Sequence, residues 1–548
     1  MAPQAIGGGG TGLLGVRPAR LFVGSCIALI STAVTFAVVG DSMFPLKAQF
    51  KLTNEAVGWI GGAAIWGFTL SIFVLGPLCD AIGMRRLLYF AFVCHLAGPL
   101  IMIFSPALSG GNSNSAFWLL FFGALITALG NGTVEAVCNP LVATIFPDTK
   151  TKKLNQFHMW FPGGILLGGV AAFLLDSANL GLPAGVHVWQ VKLALICLPT
   201  VVYGVLFIGQ KFPATERVQS GITFGGMFKA TFGRFLFWVL LFCMMITASL
   251  ELGPGRWIPA VLQAGGLAGI LVLAYINGLM AVLRYFAGAV VHRLSNTGLL
   301  VISAVLAGAG LLWFSYASDT VTTVIAATVF AVGVCYFWPT MLGTVAERVP
   351  KGGSLALAMM GGTGMLIVGM VTSPQMGHVA DRYLHQQLVE QKDKTVAVLT
   401  KVSTTYAAML AAPPKGVTRS DLEGALKSID GVLADYGKTH GLPEGRTANA
   451  LRAAIANGPP DRTDVAIEKP AAAAKDEVAN LLNPADNYGG KMSFRWVAPF
   501  SLIIIAIFGI LYLIDRAKGG YKAEKIVVEG LAEGLGDGVP PDQLQKEL

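Results

Sequence analysis

Residues 117–147 read FWLLFFGALITALGNGTVEAVCNPLVATIFP, a predominantly apolar run with a carboxylate, Glu135, in its interior. A helix rises about 1.5 Å per residue, so about 20 such residues cross the hydrocarbon core of a bilayer. Positions four apart drift slowly around a helix, so Thr127, Asn131, Glu135 and Asn139 form one polar stripe on an otherwise apolar cylinder. That stripe cannot face lipid. An ionisable side chain in a spanning helix costs several kcal/mol unless it looks into protein or a watery cavity, which makes Glu135 a functional candidate. The alternative is a buried hydrogen-bonding group that ties two helices together.

The rest of the chain has the same character: 54% of its residues are hydrophobic and 13% charged, against about 25% charged in soluble domains. The net charge of +8 would suggest nucleic acid in a soluble protein, but here the basic residues lie mostly in short loops, where they record topology. No nucleic-acid partner is expected. The seven cysteines, Cys26, Cys79, Cys94, Cys138, Cys197, Cys243 and Cys335, all fall in apolar segments without metal-type spacing, so neither disulfides, a metal nor a cofactor is expected.

In chain order, residues 1–20 are Gly-rich without the pattern of a removable signal. Apolar spans follow at 21–45, 57–78, 87–104, 117–147, 157–175 and 191–209, then at 235–250, 267–291, 298–316, 321–345, 355–380 and 494–514. Gly163, Gly164, Gly168 and Gly169 give the fifth span the small-residue spacing of a close helix crossing. This divides the chain into a tail and first bundle over 1–210, a basic linker over 211–234, second-bundle helices over 235–381, a helical insertion over 382–493, a last span over 494–515 and a tail over 516–548. In the insertion, Ser420-Asp421-Leu422-Glu423 reads as a capping box before the amphipathic LEGALKSIDGVLADY, and a small, partly flexible helical lid is expected. Lys and Arg concentrate in the loops of one side, among them Arg85, Arg86, Lys150, Lys152, Lys153, Lys211, Arg234, Arg348 and Arg516. The positive-inside rule then puts both termini in the cytoplasm and the insertion outside, in a multi-pass protein of a bacterial inner membrane.

GPLCDAIGMRRLL, residues 76–88, lies between the second and third spans. Gly76 and Gly83 allow close packing and a sharp turn, while Asp80 is placed to bond the amides of the next helix start and to pair with Arg85 or Arg86. Such a cluster can latch two bundles in one state and release them in another. Its G-x-x-x-D-x-x-G-x-R-R spacing, with six spans on each side of a basic linker, resembles the major facilitator superfamily. A decayed counterpart appears in the second half, where Arg284 and Gly288 precede VVHRLS and His292 stands in place of the acid. Further strings, GDSMFPLKAQFKLTNEAVG (40–58), Glu135-Ala-Val-Cys-Asn139-Pro140, LNQFHMWFPGGILLGG (154–169), CYFWPT (335–340) and SPQMGHVADR (373–382), resemble the fucose permease branch, the fucose/galactose/glucose:proton symporters. The resemblance covers about 21–382 and the last span, but not the insertion. It implies an all-α membrane protein of major facilitator fold, twelve transmembrane helices in two six-helix bundles plus a small helical extracytoplasmic insertion.

In that branch a first-helix Asp and a fourth-helix Glu serve proton coupling and sugar binding, and the resemblance carries these roles to Asp41 and Glu135. The residues agree on Glu135, because a carboxyl in a low-dielectric interior can hold a proton near neutral pH and release it on hydration. Asp41 has a second reading as a loop-proximal cap. Sugar sites combine flat rings with amides and carboxylates, so Asn131, Asn139, His158, Trp66, Asn277, Tyr336 and Trp338 are the substrate-binding candidates. Gly76, Asp80, Gly83, Arg85 and Arg86 are the gating candidates. His95 and His158 are candidate proton carriers, His95 with a second reading as a hydrogen-bonded core histidine. Glu251, at the matching end of the seventh span, reads as a solvated loop charge, with internal pseudo-symmetry offering the second-half rim as the other reading. The expected function is proton-coupled symport of a hexose-like sugar by a monomer in the lipid bilayer, and not an enzyme activity. A transporter or uniporter of another small polar solute is the alternative, and a membrane-anchored sensor acting through 382–493 is the rival from another class.

The topology is testable directly. Cysteines introduced at Ser220 and Ser420 should react with an impermeant thiol reagent from opposite faces of the membrane, and labelling of both from one face contradicts the assignment.

Overall fold

The structure, a computed structural model, describes residues 15–50, 52, 54–178, 181–183, 185–267, 269–411, 413, 417–458 and 469–524. It is 86% helical, with no strand among the described residues. In the first half lie α1 (Pro18–Phe50), α2 (Asn54–Ile82), α3 (Met84–Ile103), α4 (Ser113–Ile145), α5 (Pro147–Ser177) and α6 (Val188–Phe207). The second half has α7 (Phe235–Ala264), α8 (Gly269–Tyr285), α9 (Ala287–Tyr316), α10 (Thr320–Arg348) and α11 (Pro350–Glu390). The insertion helices are α12 (Lys392–Met409), α13 (Arg419–Thr439) and α14 (Arg446–Ala456), and α15 (Lys469–Ala517) carries the last span. Eleven of these helices are long and apolar enough to cross a membrane; α8 is apolar but shorter. With it the expected count of twelve is reached.

Several spans are broken or longer than expected. α5 breaks at Met159 into Lys150–His158 and Trp160–Ser177, and α10 breaks at Cys335 and Tyr336. α8 stops at Tyr285, and residues 287–294 belong instead to α9, which kinks at Ser295 with φ 59°. α7 runs on to Ala264, well past the expected end at residue 250.

Small residues set the helix spacing. A Cβ at Gly98 would lie 2.1 Å from the Thr127 hydroxyl, and one at Gly132 would lie 2.1 Å from the Phe68 carbonyl, so α3 and α2 touch the backbone of α4. Of the four α5 glycines, Gly164 and Gly168 face Ala33 and Ala37 of α1, whereas Gly163 points toward Ala281 of α8. The second half closes on the first along two more such contacts: Gly76 of α2 meets Ala358 of α11, and Gly343 of α10 meets Thr151 of α5.

Polar bonds join the halves on the side that holds the 211–234 linker, here the linker side. Glu347 accepts from the Thr151 amide (3.2 Å) and hydroxyl (2.7 Å), and through its other oxygen from Asn296 (3.0 Å) and the Tyr521 hydroxyl (2.8 Å). Lys150 donates to Glu216 of the linker at 2.5 Å. The linker side is therefore closed.

The insertion has its own core, including Leu399, Val402, Tyr406, Leu422, Ile429, Leu451 and Leu481. Burial raises the Tyr406 phenol above its ordinary pKa range, and its hydroxyl donates to the Ala454 carbonyl at 2.8 Å. The capping box sits two residues earlier than the sequence reading placed it: Thr418 is the cap and Asp421 its partner, because the Thr418 amide is the one left without a helical acceptor. No break separates insertion from bundle, since α11 and α15 run through residues 381 and 493 without interruption. The insertion docks on the second half, where Asn487 donates to the Val261 carbonyl of α7 at 2.7 Å.

A Cβ at Gly76 would sit 2.1 Å from that of Ala358, so Gly76→Leu should pry α2 from α11 at a cost of about 1–3 kcal/mol. A cysteine replacing buried Ser354 should then label about tenfold faster than in the Gly76 background. An unchanged labelling rate contradicts this account of the closure.

Candidate functional site

The polar stripe of α4 is buried along its length and divides into separate networks. Thr127 bonds only its own helix, donating to the Gly123 carbonyl at 2.7 Å. Asn131 accepts from His95 Nε2 of α3 (2.9 Å), whose Nδ1 meets the Tyr203 hydroxyl of α6 at 3.1 Å. His95 is thus a core histidine, and Asn131 is occupied inside the first bundle.

Glu135 and Asn139 point to the junction of the halves. The Asn139 amide donates to Glu135 Oε2 at 2.7 Å, and its Oδ1 meets His158 Nε2 at 2.9 Å. The His158 ring lies 3.9 Å from Glu135 Oε2, and both side chains are buried. His158 reaches this point because α5 ends its first segment there.

The opposite half answers with a guanidinium. Arg284, on α8, has 2% side-chain exposure and donates through NH2 to Glu251 Oε1 at 2.7 Å. Its NH1 bonds the His158 carbonyl at 3.0 Å, and its Nε bonds the Cys335 carbonyl at 2.5 Å. Both carbonyls lie where a helix breaks, at the negative ends of the first segments of α5 and α10. One side chain therefore caps two broken helices and crosses between the halves.

Two sequence readings are corrected here. Glu251 is an interior residue and not a solvated loop charge, because α7 continues beyond it. Arg284 is not part of a decayed loop motif. Its signal was present in the register of α8, where Ile276, Met280 and Arg284 share one buried face at four-residue spacing. His292 is exposed, and the second-half contacts of the linker side are made by Asn296, Glu347 and Asp515.

Of the remaining candidates, Tyr336 joins the cluster's edge, donating to the Leu283 carbonyl at 3.1 Å. Trp338 is buried against Gly364 of α11. Asn277 donates to the Leu273 carbonyl of its own helix at 2.9 Å. Trp66 lies on an exposed stripe with Leu70 and Val74 and packs edge-on against Trp59. Asp41 is far along α1 and pairs with Lys192, which also bonds Asp176 at 2.6 Å. Asp41, Asn277 and Trp66 are thus not brought together with Glu135.

The linker-side motif is arranged differently from its sequence reading. Asp80 accepts from Arg217 Nε (2.7 Å) and the Thr215 hydroxyl (2.6 Å) of the linker, with Ser354 of α11 at 3.5 Å. Gly83, with φ +93°, makes the turn, and no side chain caps α3. Arg85 is exposed over the Tyr89 ring, and Arg86 is exposed and bonds the Ile82 carbonyl at 3.4 Å. The acid thus joins first half, linker and second half, while the two arginines point away.

Comparison with known proteins adds the following. The Major Facilitator Superfamily model matches residues 21–373. A D-xylose transporter of Levilactobacillus brevis is 25% identical over 189 residues, 34% of this chain and 37% of its own length. A Bacillus subtilis protein named for niacin/nicotinamide transport is 22% identical over 365 residues, 62% of this chain and 85% of its own. A proton:xylose symporter bound to 6-bromo-6-deoxy-D-glucose superimposes with a TM-score of 0.55 at 13% identity, over 65% of this chain and 87% of its own. For a variant of the E. coli fucose:proton symporter the TM-score is 0.54 at 18% identity, over 66% and 92%. These structural likenesses establish the fold.

Asp80→Asn tests the linker-side junction. Breaking a buried pair leaves a charge uncompensated at a cost of about 3–5 kcal/mol, and both partners here are buried. The closed state should be depopulated and transport slowed, with solute affinity in a conformation-locked protein retained. A selective loss of that affinity argues against a purely structural junction.

Proposed function

We propose a function from the premise that this chain belongs to the Major Facilitator Superfamily: secondary active symport of a proton with a small polar solute, a hexose-like sugar, by alternating access. The observation that carries this reading is the buried Glu135–Asn139–His158 cluster facing Arg284 across the junction of the halves. A carboxyl there meets protein on every side while the linker side is closed, and movement of the halves alters its hydration. That is what a carrier of one proton requires. The amide of Asn139 and the imidazole of His158 offer hydroxyl-binding groups beside it, and Tyr336 offers a ring. The names of the xylose and fucose relatives favour a sugar.

In this reading the linker side is cytoplasmic, in a bacterial inner membrane, and the protein works as a monomer. A second reading, a small polar solute other than a sugar, has in its favour the niacin/nicotinamide relative and the buried guanidinium, which suits an acidic solute.

Glu135→Gln keeps shape and hydrogen bonding but removes titration. In proteoliposomes offered a panel of labelled sugars and nicotinate, the variant should lose pH-gradient-driven accumulation at least about tenfold, a barrier change of ~1.4 kcal/mol. Solute exchange, which needs no net proton movement, should survive. Full accumulation by the variant removes Glu135 from the coupling role.

A further inference from the structure

Two buried carboxyls, Glu135 and Glu251, feel the charge of one guanidinium: Arg284 is bonded to Glu251 and acts on Glu135 through space. Arg284 holds Glu251 directly, and its NH1 bonds the carbonyl of the same residue, His158, whose ring lies 3.9 Å from Glu135. We propose that Arg284 is a shared counter-ion, paired with Glu251 while Glu135 holds its proton and drawn toward Glu135 when that proton leaves, so that Glu251 sets how readily Glu135 releases it. This rests on the reading of Glu135 as the proton carrier.

The charges decide the matter. With Glu135 protonated, the cluster holds one carboxylate and one guanidinium and is neutral, which a buried site requires. When the Glu135 O–H bond breaks, the proton goes to water and the electron pair stays on the carboxylate. The cluster then has two carboxylates for one guanidinium. Arg284 bonds Glu251 through Oε1 alone, so this pair is not the two-pronged arrangement that would fix the guanidinium to it. A shift of Arg284 toward Glu135 draws it from Glu251, its partner within the second half, and toward the first-half residue whose carbonyl it already holds, His158. Loss of the proton thereby acts on the junction.

Among the described residues, the other titratable groups facing these carboxyls are His158 from α5, Cys138 from α4 and Cys335 from α10, with Cys26 of α1 beside Cys138 and Tyr336 beside Cys335 and Arg284. α3 presents His95, which is bound to Asn131. Arg284 is the one permanently charged cation among them.

The test reads Glu135 itself and needs no solute. Full-length protein in liposomes is titrated by pH-difference infrared spectroscopy, following the protonated-carboxyl band that is absent in Glu135→Gln. In Glu251→Gln the guanidinium is free for Glu135, and the midpoint of that band should move to lower pH by about one pH unit or more. The double variant Glu251→Gln/Arg284→Gln should bring it back to the wild-type midpoint or above. Should Glu251→Gln fail to fold, Glu251→Asp, too short to hold Arg284 as well, should shift the midpoint in the same direction. If Glu135→Gln removes no titrating band, the proton-carrier reading falls and this inference with it. If the band is present but its midpoint is the same in the Glu251 variants, the shared counter-ion alone is overturned.

Discussion

An ionised guanidinium between the halves of a membrane bundle is tolerated only if every strong bond it has lost to water is replaced, because the desolvation penalty is several kcal/mol per ion. Arg284 meets that condition with one carboxylate and two main-chain carbonyls. Those carbonyls are free to accept because α5 and α10 both break where they pass the side chain. Each break leaves acceptors without an intrahelical donor, and an unsatisfied backbone group in an apolar interior is itself costly. The breaks and the arginine are thus mutually dependent. Replacing Arg284 leaves two helix ends and Glu251 exposed to the same deficit.

The bonds that join the halves differ in how they respond to movement. On the linker side, Glu347 and Asp80 gather donors from the first half, the linker, the second half and the final residues of the described chain. These groups lie near the bundle's end, where water can replace their partners when the halves separate. The Arg284 bond to His158 has no such replacement. Under the proposed function, a transition between closed and open states is limited by what happens at the centre, where a proton arriving at or leaving Glu135 changes the electrostatics first.

Glu135 could be read from the sequence because a carboxylate in an apolar run, with amides four residues away on each side, is costly anywhere but in an interior. The close helix crossings were equally visible at Gly164 and Gly168. Arg284 and Glu251 were read for other roles: the match to a loop motif drew Arg284 away from the buried face of its own helix, and Glu251 stands just past the apolar run ending at residue 250, where hydropathy alone cannot tell a helix from a loop. Extending α7 to Ala264 turns Glu251 inward, and ending α8 at Tyr285 does the same for Arg284. Asp41 is the converse case. The resemblance carried a role to it, but Lys192 and Asp176 hold it at the far end of α1, and no local sequence signal joins positions so far apart in the chain. Asp80 was expected to pair with Arg85 or Arg86, yet its partner is Arg217 of the linker, while Arg85 and Arg86 beyond the turn at Gly83 are exposed.

The insertion follows from the same mechanics. Because α11 continues to Glu390 and α15 passes through residue 493 without a break, these two helices tie the insertion to the second half. Its docking through Asn487 onto α7 adds a third attachment to that half, and Gly489 lets α15 approach the Ala380 carbonyl of α11 closely. Had it bonded both halves, it would have clamped the side opposite the linker and opposed opening there. Docked on the second half, it leaves the closure of the bundle to the linker-side bonds of Glu347 and Asp80 and to the central grip of Arg284 on His158.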